Sequence, residues 1–208
     1  MNEARALCES ALECANVFES VGMKDIVIAI KHSDTLLNIK ANRMLSSMCD
    51  YPLHIGVTEA GTLRTGLVKS AIGIGTLLSE GIGDTIRVSL STNVCEEVLA
   101  GKKILQTLGL RKNAVEVVAC PTCARTEIDV EGLANKVETM TAGINKPLKI
   151  SVLGCPLNGI GEGEHSDLGI AGGKEKSVIL LHGKIYKTVP SERLMQEFEK
   201  ILQDVLSN

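Results

Sequence analysis

Three cysteines stand where their spacing lets them share one group. Cys120 and Cys123 flank Pro121-Thr122, and Cys155 lies near the start of Gly154-Cys155-Pro156-Leu157-Asn158-Gly159-Ile160-Gly161-Glu162. Thiolates are soft, polarisable ligands that favour zinc or iron–sulfur clusters over hard cations. Structural zinc closes a tetrahedron with four ligands, and its motifs pair one C-x2-C with another or with two histidines. Neither pattern occurs in this chain. A [4Fe–4S] cluster also takes four ligands, ordinarily thiolates. Three are at hand, so a fourth must come from another side chain. Glu162, seven residues beyond Cys155, is the nearest acidic candidate, and His165 competes with it. A cluster with one iron held by a non-thiolate ligand is a poor pure electron carrier and a good place for substrate to meet iron. The other readings of these thiols are buried apolar packing, a closed zinc site, and a redox C-x2-C pair beside a βαβ unit.

Each cysteine turn follows a strand-like apolar run, Val115-Glu116-Val117-Val118-Ala119 before the first and Lys149-Ile150-Ser151-Val152-Leu153 before the second. Two strand ends would then converge on one point. Glycines 159, 161 and 163 would leave backbone N–H groups free to approach cluster sulfides, which tunes potential.

The elements upstream alternate. Leu7, Ala11, Cys14, Phe18 and Val21 recur at helical spacing, so residues 3–20 read as an amphipathic helix. Residues 25–30, 52–57 and 85–90 read as strands. Helices are expected over 34–48, over 66–79, and from a cap at Asn93 to Gly109. Such alternation is parallel α/β organisation. Lys31, Glu59 and Ser89 sit at or just past successive strand ends, 28 and 30 residues apart, one βα unit each. In (β/α)8 barrels the C-terminal strand ends build the active site. Strand 85–90 puts Ile86, Val88 and Leu90 on one face and Thr85, Arg87 and Ser89 on the other, as an apolar face towards helices and a polar face towards a site would require. His54 either faces that site or is a satisfied core histidine. A full barrel takes about 250 residues, whereas about 110 precede the cysteines here, enough for three strands.

Residues 111–208 read as an α+β domain. Strand 115–119, a helix over 130–142 and strand 148–153 are followed by short strands at 167–171, 177–181 and 184–188. His182-Gly183 suits a tight hairpin, and Leu194, Phe198, Ile201, Leu202 and Val205 stripe a final helix. The expected division is 1–110 and 111–208.

Composition excludes several classes. Of 208 residues, 44% are hydrophobic, 23% charged and 2% aromatic, which fits a soluble globular chain with an aliphatic core. A net charge of −3 gives no electrostatic footprint for nucleic acid. No apolar run has the length of a membrane span, and the N-terminus has no signal-peptide pattern. Seven cysteines without an export signal point to a reducing cytoplasm. Cys8, Cys14, Cys49 and Cys95 read as packing residues. Gly73-Ile-Gly75 and Gly81-Ile-Gly83 do not complete a phosphate loop.

The motifs together resemble the bacterial 4-hydroxy-3-methylbut-2-enyl diphosphate synthase family of the non-mevalonate isoprenoid route. They are Cys120-Pro-Thr-Cys123, Gly154-Cys155-x-x-Asn158-Gly-x-Gly-Glu162, Asp167-Leu-Gly-Ile-Ala-Gly-Gly173, His54-Ile-Gly-Val-Thr-Glu-Ala-Gly61 and Glu80-Gly-Ile-Gly-Asp-Thr-Ile-Arg-Val-Ser-Leu90. The resemblance implies that the sequence begins inside the family's barrel. It implies a partial (β/α)8 segment followed by an iron–sulfur domain of sulfite-reductase/ferredoxin-like type. Cys120, Cys123, Cys155 and Glu162 would hold a [4Fe–4S] cluster. Lys31, Arg87, Ser89 and Asn158 would bind a cyclic diphosphate, 2-C-methylerythritol 2,4-cyclodiphosphate, and Glu59 would supply or relay a proton. Ferredoxin or flavodoxin would deliver electrons to a homodimer. The second expectation is a chain that holds a cluster as an electron-transfer module without catalysis. Ala124, Pro156 and Ile160 depart from the family's usual Gly or Ser, Val and Pro, and none of these removes a ligand.

Overall fold

The computed structural model describes residues 3–207, the side chain of Asn158 excepted. The chain divides into two units, Met1–Arg111 and Lys112–Asn208.

In the first unit, helices α1 (Glu3–Ser20), α2 (Thr35–Ser46), α3 (Leu63–Ser79) and α4 (Val94–Thr107) alternate with strands β1 (His54–Gly56) and β2 (Thr85–Arg87) after α2. Helix starts follow local chemistry. The Asp34 carboxylate accepts the Leu37 N–H at 2.8 Å, and Asn93 Oδ1 accepts the Cys95 N–H at 2.9 Å. Each satisfies a donor that the first helical turn leaves without a partner. β1 and β2 pair in parallel, with Gly56 opposite Arg87. The expected strand at 25–30 forms no ladder and is joined to Leu53 by a single bridge at Ile28. Its next polar groups are taken by side chains of α2, as described below, and not by a ladder. An aliphatic core of Ile28, Ile39, Leu45, Ile55, Ile74 and Leu77 lies beneath.

The second unit is built on a five-stranded sheet in the order β3 (Val115–Ala119), β4 (Leu148–Leu153), β5 (Leu168–Ala171), β6 (Lys176–Leu181), β7 (Lys184–Pro190). β3, β4 and β5 run parallel, while β6 and β7 are antiparallel. β4 is buried at every position but one, as a strand covered on both faces must be. α5 (Val130–Thr141) is the crossover between β3 and β4. α7 (Leu194–Ser207) buries Leu194, Phe198, Ile201 and Leu202, spaced to fall on one helix face. The β6–β7 turn has φ +47° at His182 and +73° at Gly183, the left-handed pair a two-residue hairpin needs. Among the described residues no helix is long and apolar enough to cross a membrane.

A second element differs from expectation. The segment after Cys155 is a helix, α6 (Pro156–Glu162), continued by a 3-10 turn over Gly163–His165. Proline at its first position is pre-shaped for helix. Two of its glycines serve packing: a Cβ on Gly159 would lie 2.7 Å from Ala171 Cβ, and one on Gly163 2.3 Å from Leu180 Cδ1. These glycines bring α6 down onto the sheet instead of leaving N–H groups free.

Among the described residues Phe198 is the largest fully buried side chain. Phe198→Ala is expected to cost about 3–5 kcal/mol, seen as a lower urea midpoint for the second unit.

Candidate functional site

The parallel pairing of β3 with β4 sets Ala119 opposite Val152, so both strands end at one edge. Cys120 follows β3, and its N–H bonds the Val152 carbonyl at 3.2 Å. The Gly154 N–H donates to Cys120 Sγ at 3.1 Å. The first thiol of the C-x2-C turn therefore lies against the residue preceding Cys155. The loop after it folds on itself. The Cys123 N–H donates to Thr126 Oγ1 at 2.9 Å, the Thr126 N–H to the Cys123 carbonyl at 3.0 Å, and the Glu127 N–H to the Gly154 carbonyl at 2.8 Å. A Cβ at position 154 would come within 2.8 Å of Val130 Cγ2 and 3.0 Å of Thr126 Cγ2. Glycine there is what lets the loop close on the end of β4.

The three thiols differ in environment. Cys120 is half-buried, Cys123 exposed and Cys155 buried, and none forms a disulfide. The backbone N–H of Arg125 and then the Thr126 hydroxyl hold the Cys123 thiol below its ordinary pKa, towards the thiolate. Cys155 caps α6 in extended backbone, with no hydrogen bond from its own side chain to the helix. Glu162 is the last residue of α6 and exposed; His165 is exposed in the 3-10 turn. Seven positions make nearly two helical turns, about 10 Å of rise, so Glu162 returns to the side of α6 on which Cys155 begins it. The side chain of Asn158 lies outside the described residues.

Among the described residues no three His, Cys, Asp or Glu side chains are gathered closely enough to hold one metal ion. A single zinc would need every thiolate about 2.3 Å from one point. A four-iron cluster is larger and takes its thiolates further apart. Three unpaired thiols at one sheet edge, one already receiving a backbone N–H, fit a group of that kind in their chemistry.

The first unit has its own polar group. His54 and Gly56 on β1, and Thr85 and Arg87 on β2, lie on one face of the paired strands. A Cβ on Gly56 would fall 2.4 Å from the Arg87 carbonyl oxygen and 3.3 Å from Lys31 Cε. The bare glycine thus lets the Lys31 stem lie across β1. Burial, and then the positive charge of Arg87, lower the Lys31 pKa. His54 Nδ1 lies 2.8 Å from Thr85 Oγ1. Burial, then Lys31, then Arg87 push its pKa below the ordinary histidine value. The structure therefore brings Lys31 and Arg87 together and adds His54, whose face the sequence left open. Its signal was the alternation His54, Gly56 set beside Thr85, Arg87. Ser89 is half-buried, two residues past the end of β2. Glu59 is exposed, three residues past β1, with φ +50°. A non-glycine residue in that region is strained, and such strain collects at functional sites.

Fold and site define an α/β protein with a cationic strand-end group in one unit and a three-thiol sheet edge in the other. Comparison with known proteins places it further. The GcpE TIM-barrel domain model matches residues 1–102, and the GcpE protein C-terminal domain model matches residues 116–204. The chain belongs to the GcpE family. Among its curated relatives is the 4-hydroxy-3-methylbut-2-en-1-yl diphosphate synthase (flavodoxin) of Caldanaerobacter subterraneus, 53% identical over 97% of this chain and 57% of the relative. Enzymes of the same name from Cutibacterium acnes and Clostridium acetobutylicum are 50% and 49% identical, over 93% and 97% of this chain and 51% and 58% of theirs. The chain spans about half the length of the curated relatives it matches.

A depressed folded-state pKa at His54 means that the unfolded chain binds its proton more readily. Its contribution to stability is present above about pH 6.5, the unfolded value, and is lost as pH falls through the lower folded value. A carbon-detected NMR titration should show one of the four histidines titrating below the ordinary range. Lys31→Met should move that histidine upward, and an ordinary midpoint in the parent chain would refute the electrostatic reading.

Proposed function

We propose that this chain supplies later barrel strands and the cluster-bearing domain of an iron–sulfur reductive dehydroxylase. The reaction opens the ring of 2-C-methylerythritol 2,4-cyclodiphosphate with two electrons. A hydroxyl leaves as water, and the product is 4-hydroxy-3-methylbut-2-enyl diphosphate. The observation that carries this reading is the Gly154 N–H to Cys120 Sγ contact at the shared end of β3 and β4. It joins the two cysteine motifs at one edge. Relatives at about half identity bear the synthase name, and that name supports the same activity here.

In this reading residues 1–110 are the barrel segment, and 111–208 form a ferredoxin-like or sulfite-reductase-like cluster domain. Cys120, Cys123, Cys155 and Glu162 would hold a [4Fe–4S] group. When bound, such a group supplies one-electron delivery and a Lewis-acidic iron. The chain's own residues do the rest. Lys31 and Arg87 repel one another in the free protein, and a diphosphate between them converts that repulsion into two charge-assisted contacts. The Ser89 hydroxyl adds a donor. His54, kept neutral, adds no third positive charge. Glu59 would supply or relay a proton to the departing hydroxyl, and Asn158 would donate to the substrate. The relatives' printed name supports flavodoxin as the one-electron donor, with ferredoxin as the chemically equivalent choice. The working form is a cytoplasmic homodimer.

Anaerobic reconstitution should load about four iron and four sulfide per chain, and Cys155→Ser should lose them. In a full-length enzyme carrying this motif, Glu162→Gln should keep most of the iron and lower turnover at least tenfold. Near-normal turnover in that variant would remove the carboxylate from the site. No conversion of the cyclodiphosphate by the full-length enzyme would defeat the proposal.

A further inference from the structure

Two asparagines of α2 are almost completely buried. Asn38 and Asn42, one turn apart, are each 1% exposed. Their side chains grip the backbone on either side of Lys31. The His32 N–H donates to Asn38 Oδ1 at 3.0 Å, and Asn42 Nδ2 donates to the Ile30 carbonyl at 3.2 Å. Asn42 Nδ2 also bonds the Asn38 carbonyl at 2.9 Å, which ties the two grips to one helical turn. The last backbone bridge of this segment is at Ile28. Beyond it the chain that carries Lys31 is held by helix side chains.

The two grips satisfy backbone groups that no ladder takes, and they do so at a cost. The His32 N–H fixes the Asn38 amide with its oxygen towards the strand end. That leaves Nδ2 buried without a partner in the described structure, on the side of Gly73 of α3. A buried, unpaired amide donor opposes folding. Local rules are broken in this way chiefly at functional sites. The strand end also has something to resist. Burial and the charge of Arg87 both disfavour the Lys31 ammonium where it lies, and His54 stands on the same face. A four-carbon stem on a free strand end would swing to solvent.

We propose that Asn38 and Asn42 are positioning residues that clamp the backbone on both sides of Lys31 and so present its ammonium across Gly56 beside Arg87. The inference rests on the reading of Lys31 as a diphosphate contact. It adds the device that holds this cation in place before the anion arrives, where small misplacement of a binding group is expensive in rate. Asn38 and Asn42 touch no reacting atom and act through Lys31.

The test uses the 208-residue chain with carbon-13-methylated lysines. Lys31→Met assigns the Lys31 signal. In the parent, Lys31 should titrate below the ordinary lysine range. In Asn38→Leu and in Asn42→Leu its midpoint should return to that range, with the other lysines unmoved. Leu45→Ala is the control: it opens the same core without touching either grip, and should leave the Lys31 midpoint in place. Asn42→Ser replaces any leucine variant that fails to fold. Affinity for inorganic pyrophosphate, measured by calorimetry at fixed salt, should fall at least fivefold in the asparagine variants. An unchanged Lys31 midpoint in the folded asparagine variants overturns the clamp, as does an equal shift in Leu45→Ala. Parent-like pyrophosphate affinity in Lys31→Met overturns the diphosphate role of Lys31, and the titration alone then decides the clamp.

Discussion

Parallel strand pairing is the constraint on which both polar sites depend. Strands that run the same way finish at the same edge, and the connections between them must cross a face of the sheet. In the second unit this puts Cys120 and Gly154-Cys155 side by side although 34 residues separate Cys120 from Gly154. In the first unit it sets Gly56 against Arg87 and clears the path of Lys31. The β1–β2 ladder is only three residues long, so its register has little redundancy. A slip by one residue would turn the His54 side chain to the opposite face. It would also set Val57 against Arg87 in place of the glycine that gives Lys31 its room.

The electrostatics of the first unit follow from that geometry. Lys31, half-buried, and Arg87, exposed, stand side by side at a cost to the free protein, and in the proposed role a doubly charged anion between them would offset that cost. In that role binding energy would appear in the presence of the anion and not before, which is preorganisation. His54 shares the face without adding charge, since its nearest influences all oppose protonation. Its Nδ1 is occupied by Thr85, so the ring is also fixed in orientation.

Much of this was legible in the residues. Helical spacing marked α1 and α7, alternation marked the faces of β2, and His182-Gly183 marked its hairpin because few residue pairs take two left-handed dihedrals in succession. The cysteine motifs were legible because thiol spacing is uncommon and chemically specific. Helix α6 was not. Glycines 159, 161 and 163 lower helix propensity and read as a turn, but the nearness of Ala171 and Leu180 explains two of them, and those neighbours are far off in sequence. The side of His54 was open because alternation orders faces without saying which one meets the core. The strand expected at 25–30 was over-read for a related reason. Its apolar pattern was right, but its end takes its polar partners from Asn38 and Asn42, whose amides look in sequence like ordinary helix surface.

The three thiols are held with unequal firmness, and that inequality bears on what they can bind. Cys120 follows directly from β3, its own N–H bonded to β4 and its sulfur bonded by Gly154. Cys155 is buried between the end of β4 and the start of α6, and α6 is packed onto β5 through Gly159. Those two positions are fixed by the sheet. Cys123 stands on a short loop tied by Thr126 and Glu127, exposed, with its thiol already lowered in pKa by the loop's own donors. Two donors are thus held by the sheet and one by an exposed loop. In the proposed role the pair held by the sheet would fix where the cluster sits, and the loop thiol, its pKa lowered by its neighbours, would complete the grip from the exposed side.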